Sequence, residues 1–181
     1  IICTYEHVQT TYAYGDVIRF YNNSDGGWAS FVPTQNMVDM FEMADGKLID
    51  EAGSGYDPVH PFYNRDPRLK NTVIYSGLDW IGRNGVSRIF NTLDKTLPGG
   101  SSNKDYYTAA DNASHTGMLW AKYLYPNQGQ YSTSMNDDAL CPIIFRYAEI
   151  LLTKAECLVE LNQDLQEAMN IIDRLRLRGG H

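Results

Sequence analysis

The chain reads as mainly α, with irregular loops and short β-hairpins resting on a tetratricopeptide-like helical hairpin. Three observations predict that class. Residues 144–178 carry two apolar stripes at helical spacing, split only by Asn162-Gln163-Asp164. Elsewhere the apolar runs are short and punctuated by Gly, Pro, Asn and Asp. Finally, Asn84-Gly85 lies between Trp80-Ile81 and Val86-Ser87-Arg88-Ile89-Phe90, a two-residue hairpin signal.

Taken in order, residues 1–21 alternate loosely and predict one or two short strands. Asn22–Gly27, NNSDGG, reads as a turn. A short helix is expected over 33–46, with Thr34 as N-cap. Met37, Met40 and Phe41 would share one face of it, and Gly46 would close it in the left-handed conformation. Residues 47–68 are polar, and read either as a linker or as an ordered loop pinned by Pro58, Pro61 and Pro67. In NRDPRLKNTVIY (64–75), Asp66 precedes proline and is driven to extended geometry. An N-cap needs that same geometry, and Pro67 suits the first helical position. A single turn through Arg68, Leu69 and Lys70 follows, then a strand from Thr72. Arg65 and Arg68 flank the carboxylate and could brace the turn. A strand and hairpin thus fill 72–90. Asp94–Thr116 is a long polar segment holding Tyr106-Tyr107, and MLWAKYLY (118–125) reads as a strand.

The last segment, 143–180, carries the clearest pattern. Ile144, Ala148, Leu151, Ala155, Leu158 and Val159 form one stripe; Leu165, Ala168, Ile171, Ile172 and Leu175 form the other. So short a connection makes the two helices antiparallel, and their small alanines permit close approach. Arg146 precedes Glu149 at ion-pair spacing and reads as bracing. Gly179-Gly180 ends the second helix. One such hairpin cannot bury both faces and needs neighbours.

Composition narrows the function. The chain has 181 residues and a formal net charge of −7, and its single basic cluster, Arg174, Arg176 and Arg178, sits where cations offset a helix dipole. No nucleic-acid partner is expected. Cys3, Cys141 and Cys157 form no disulfide framework, and Cys157 is expected to be a small buried residue. No run of apolar residues is long enough to span a membrane. The chain starts without Met, basic region or apolar leader and stops directly after a helix. Both ends therefore read as cut, and the whole of 1–181 as a single region of a longer protein. No nucleophile elbow, P-loop or complete dinucleotide fingerprint is present. His7, His60, His115 and His181 lack metal spacing, so no metal and no cofactor are expected. The acid pairs Asp50-Glu51 and Asp137-Asp138 lie in polar loops and read as solvated, so no catalytic residue is assigned.

Three stretches, PTQNMVDMFEMADGKLID (33–50), GYDPVHPFYNRDPRLKNTVIYSG (55–77), and FRYAEILLTKAECLVELN with AMNIIDRLRLRGG (145–162 and 168–180), together resemble the SusD/RagB family of Bacteroidetes outer-membrane nutrient-uptake proteins. The resemblance implies a tetratricopeptide-like scaffold carrying loops and short strands. It implies a lipid-anchored protein at the extracellular face of the outer membrane, its anchor lying outside this chain. It also implies a non-catalytic role: binding a glycan, or in some members peptide, and delivering it to a SusC-like TonB-dependent transporter. The alternatives are a protein- or peptide-binding scaffold and, last, a glycan-cleaving enzyme. Sugar faces stack on exposed aromatics, so the ligand-binding candidates are Tyr106 and Tyr107, then Trp80 and Trp28. Each also reads as ordinary packing, Trp28 and Trp80 above all, because they border regular elements. Asp66, Pro67, Arg65, Arg68, Arg146 and Glu149 are read as structural.

Overall fold

The computed structural model describes residues 3–4, 16–107, 112–122, 124 and 143–180. Expectations for strands between residues 5 and 15, for His7, Cys141, Asp137-Asp138 and His181, and for residues 123 and 125 of the 118–125 run lie outside the described residues. By its internal contacts the chain divides into two compact units. One comprises residues 1–7, 42–68 and 141–181; the other comprises 8–41 and 69–140.

The first unit is built on β1 (Cys3–Thr4), β6 (Ile143–Phe145), α3 (Tyr147–Glu160) and α4 (Leu165–Gly179). Strands β1 and β6 pair antiparallel, with Cys3 opposite Phe145. Helices α3 and α4 lie side by side, and Leu151, Ala155, Ala168 and Ile171 are buried between them, flanked by Leu158 and Leu175. This is the expected helical hairpin. The linker turns tightly because Asn162 and Asp164 adopt left-handed backbone at φ 50° and 39°, which short polar side chains tolerate better than other non-glycine residues. Asp164 also caps α4 by accepting from the Glu167 N–H at 3.2 Å. At the other end Gly180, φ 100°, takes the left-handed cap.

The stripes are narrower than the sequence pattern. Ile144 lies in β6, ahead of the helix, and Ile144, Val159, Leu165 and Ile172 stay exposed. Cys157 is also exposed, not buried as expected. It follows Ala155 by two residues, which turns it away from the packed face. No ion pair joins Arg146 to Glu149 among the described residues. Arg146 is the extended N-cap (φ −139°, ψ 157°), so helical side-chain spacing does not apply to it. The link is the backbone: the Glu149 N–H donates to the Arg146 carbonyl at 3.0 Å.

Residues 42–68 complete this unit and are ordered by side-chain bonds, not a linker. The Arg176 guanidinium donates to Glu42 Oε2 at 2.8 Å, tying α4 to this segment. Gly179 passes so near Arg68 that an added Cβ would stand 3.2 Å from Arg68 Cδ. Arg65 is buried, donates to the Pro61 carbonyl at 2.8 Å, and lies over the Tyr56 ring at 5.5 Å.

Among its described residues the second unit contains α1 (Gln35–Asp39) and four strands in two antiparallel ladders: β2 (Val73–Ile74) with β5 (Leu119–Trp120), and β3 (Asp79–Ile81) with β4 (Ser87–Ile89). Helix α2 (Pro67–Thr72) has its first two residues in the first unit and the rest in the second. Tyr21, Ile74, Trp80, Phe90 and Leu119 form the second unit's core. Thr34 caps α1 by accepting from the Met37 N–H at 3.3 Å. The helix is shorter than the expected 33–46 span, ending at Asp39. Met40 is therefore its C-cap and is 78% exposed, while Val38 is the buried residue. Gly46 closes no helix; its N–H donates to the Met43 carbonyl in a separate turn. The hairpin loop also differs from a two-residue turn. It runs over residues 82–86, because the Asn84 side chain accepts from the Val86 N–H at 3.1 Å and makes its own local turn. Among the described residues of 118–125, Leu119–Trp120 form the paired strand.

Candidate functional site

The ligand candidates all belong to the second unit. The structure separates them into two kinds. Trp80 is 7% exposed, and its indole N–H donates to Asp25 Oδ2 at 3.2 Å. The same carboxylate oxygen accepts from the Arg88 guanidinium at 2.9 Å. Trp80 is thus a core anchor with its polar atom satisfied, unable to offer a ring face to a ligand. Trp28 and Tyr107 are 44% and 42% exposed. Tyr106 is half-buried and packs edge-on against Tyr107, ring centroids 5.1 Å apart.

The segments that carry these aromatics are fastened together by Asp105. Its Oδ2 accepts from Asn22 Nδ2 at 2.9 Å, and its Oδ1 accepts from the Ser24 N–H at 2.9 Å. Asn22 and Asp105 are both buried. The NNSDGG turn is thereby clamped just before Trp28, and the clamp residue directly precedes Tyr106. Asn103 holds the other side of that segment, donating to the Asn91 and Asp94 carbonyls at 2.9 and 2.8 Å.

The turn itself shows why its glycines are needed. Gly26 takes φ 86°, and a Cβ on Gly27 would overlap the Tyr21 backbone. After it, Ala29 holds φ 45°, an uncommon conformation for alanine. Its N–H bonds the Tyr21 carbonyl at 2.9 Å, while the Trp28 N–H bonds the Ile18 carbonyl at 2.7 Å. The backbone is therefore pinned on both sides of the bend. Phe31, 43% exposed, stands three residues beyond Trp28. The Arg19 guanidinium lies 5.9 Å from the Trp28 ring centroid and 5.7 Å from that of Phe31. Sequence reasoning missed Arg19, Phe31 and Asp105. The visible signal was a pair of aromatics three apart directly after Gly-Gly; nothing local marks Asp105.

The residues read as structural gather in the first unit. Asp66 is buried and accepts from the Arg68 N–H at 2.8 Å, as an N-cap does, and its Oδ2 accepts from Arg68 Nε at 2.8 Å. That pairing raises the guanidinium pKa further. Pro67 occupies the first position of α2. In the neighbouring loop, His60 Nδ1 lies 2.7 Å from Asp57 Oδ2, and that hydrogen bond holds the Asp57 carboxyl below its ordinary value. Among the described residues no group of three or more His, Cys, Asp or Glu is placed to hold a metal, and no helix is long and apolar enough to cross a membrane.

No curated protein sequence matches the chain. Among the solved structures that resemble it are two from Bacteroides fragilis. One is a SusD-like carbohydrate binding protein from Bacteroides fragilis, 25% identical, with a TM-score of 0.65 over 90% of this chain and 30% of that one. The other is a SusD-like protein from the same organism, 24% identical, with a TM-score of 0.72 over 99% of this chain and 35% of that one. The chain thus spans 30–35% of the length of these relatives. The SusD family model matches residues 4–181, almost the whole sequence. The helical hairpin, the loop-rich second unit and that match agree: the chain belongs to the SusD family.

Proposed function

We propose that the chain forms part of a non-catalytic glycan-binding protein at the extracellular face of the outer membrane. In this reading it captures oligosaccharide or polysaccharide and passes it to a SusC-like TonB-dependent transporter, held to the membrane by a lipid anchor. The observation that carries the reading is the family match over residues 4–181, together with the likeness to a SusD-like carbohydrate binding protein. Exposed Trp28 and Tyr107 on a clamped scaffold agree with it, since aromatic rings offer apolar faces at low entropic cost.

The test is retardation in native gels containing amylopectin, xylan or galactomannan, with reducing ends counted after incubation. Retardation without new reducing ends supports the reading; release of reducing ends overturns its non-catalytic part. Tyr106→Ala with Tyr107→Ala should weaken retention, and unchanged retention removes both from the site.

A second reading, a protein- or peptide-binding scaffold, is favoured by the apolar side chains that α3 and α4 leave exposed, among them Leu152, Val159 and Met169. Pull-down of a transporter by a chain that no polysaccharide retards would favour it.

A further inference from the structure

We propose that Asn84 is a self-modifying residue: its side-chain amide carbon bonds to the Gly85 backbone nitrogen and loses ammonia, leaving aspartate or isoaspartate at the tip of the β3–β4 loop. Asn84 is the one asparagine in the sequence followed by glycine. Glycine carries no Cβ to obstruct approach to its own nitrogen. Asn84, Gly85 and Val86 are all exposed, so base and water reach the loop. The side chain is also placed for the reaction. Its Oδ1 accepts from the Val86 N–H at 3.1 Å, which folds the amide forward over the Gly85 peptide. The same N–H faces the oxygen on which negative charge develops when a nucleophile adds to the amide carbon. One bond opposes the step: the Gly85 N–H donates to the Gly82 carbonyl at 2.9 Å. It must open before the nitrogen can act, and exposed loops are where such openings cost least. Asp45-Gly46 repeats the local bond, with Asp45 Oδ1 accepting from the Lys47 N–H at 3.1 Å. There, an ionised carboxylate resists addition and has no ammonia to lose.

The step needs only hydroxide and water. Hydroxide takes the Gly85 amide proton, the nitrogen bonds to Asn84 Cγ, and the Cγ–Nδ2 bond breaks as ammonia leaves with a solvent proton. Water then opens the cyclic imide. Cleavage at Cγ restores the main chain and gives aspartate. Cleavage at the backbone carbonyl routes the main chain through Cβ and Cγ and gives isoaspartate. The two products act differently on the hairpin. A Cβ on Gly82 would overlap Arg88 Nη1 and Asp25 Oδ1 and stand 3.2 Å from Asn84 Oδ1, so these three groups crowd one point. Aspartate brings a second carboxylate to the Arg88 guanidinium, which already pairs with Asp25 at 2.9 Å. Isoaspartate lengthens the main chain between Ile81 and Ser87, which face each other across the ladder. That insertion pulls against the register of the strand that carries buried Trp80.

The experiment incubates the chain in mildly alkaline buffer made with heavy-oxygen water, beside a synthetic peptide spanning residues 78–90. Digestion and mass spectrometry then map the products. Asn84 should gain mass ahead of every other asparagine, more slowly than in the peptide, with heavy oxygen incorporated. Protein isoaspartate methyltransferase should label the same position. Asn84→Gln keeps an amide but needs a larger ring, so the gain should disappear. Gly85→Ala should slow it; if alanine misfolds the loop at φ 78°, Asn84→Gln carries the same expectation. A chain that stays unchanged while the peptide converts overturns the proposal. So does first conversion at another asparagine, or labelling at Asp45 alone. Aspartate without isoaspartate overturns the cyclic route. In urea denaturation the isoaspartate form should unfold at a lower midpoint than fresh chain, and Asn84→Asp should stay close to fresh chain. Equal midpoints for all three overturn the effect on register, and an equal loss in Asn84→Asp assigns it to charge and overturns it too.

Discussion

The helical hairpin and the loop-rich unit solve the same problem by different means. In α3 and α4, burial comes from positions three and four apart on each helix, and the two helices are neighbours in sequence. In the second unit the decisive contacts join distant segments. Asn22 meets Asp105, Asp25 meets Trp80 and Arg88, and Thr116 donates to the Pro33 carbonyl at 3.0 Å. The hairpin depends on packing that many apolar residues share. The loop unit concentrates its stability in a few buried polar groups, each expensive to leave unpaired. That contrast predicts opposite mutational sensitivities.

The largest effect should follow Asp105→Ala. It leaves the Asn22 amide and the Ser24 N–H without their acceptor in a buried setting, costing about 3 kcal/mol; urea denaturation would measure it. A change below about 1 kcal/mol would mean that the clamp is not what holds the turn. Leu151→Ala should cost somewhat less, about 2–3 kcal/mol, because the hairpin core is small and its neighbours can partly collapse. Asp164→Ala removes a cap and puts alanine at positive φ, so about 1 kcal/mol is expected from the α3–α4 hairpin, seen in the same denaturation experiment. Lys154→Ala should be silent in that assay. Its 2.8 Å bond to Glu167, which raises the Lys154 pKa, lies on an exposed surface where solvent screens it.

Acid offers a finer comparison within one loop. The folded-state pKa of Asp57 lies below its ordinary value of 3.8, first because of the His60 hydrogen bond. A depressed carboxylate contributes stability above its unfolded pKa and loses it as pH falls through the folded one. Carbon-13 titration should therefore find Asp57 below 3.8, and His60→Ala should move it upward. An unchanged value in the variant would remove His60 as the cause.

Legibility follows the same division. The α3–α4 hairpin, the Thr34 cap and the Asp66-Pro67 helix start rest on local rules, and each was readable from its own few residues. Errors arose where an element stopped early or a side chain competed with the backbone. The Met37–Met40–Phe41 face failed because α1 ends before Met40, and Asn84 bonded Val86 in place of forming the expected tight turn. Among the ligand candidates, Trp80 could be told from Trp28 only by finding Asp25, which lies 55 residues earlier in the chain than its indole partner.

By itself, the sequence determined the class of fold and the family, because helical periodicity, caps and motif order are properties of short stretches. It also supplied the aromatic inventory. Only the tertiary structure decided which rings are buried and which face solvent. Burial is set by partners far along the chain: Asp25 draws Trp80 inward, and Asp105 clamps the turn before Trp28. Those pairings arise from chain closure in space, and no local pattern encodes them.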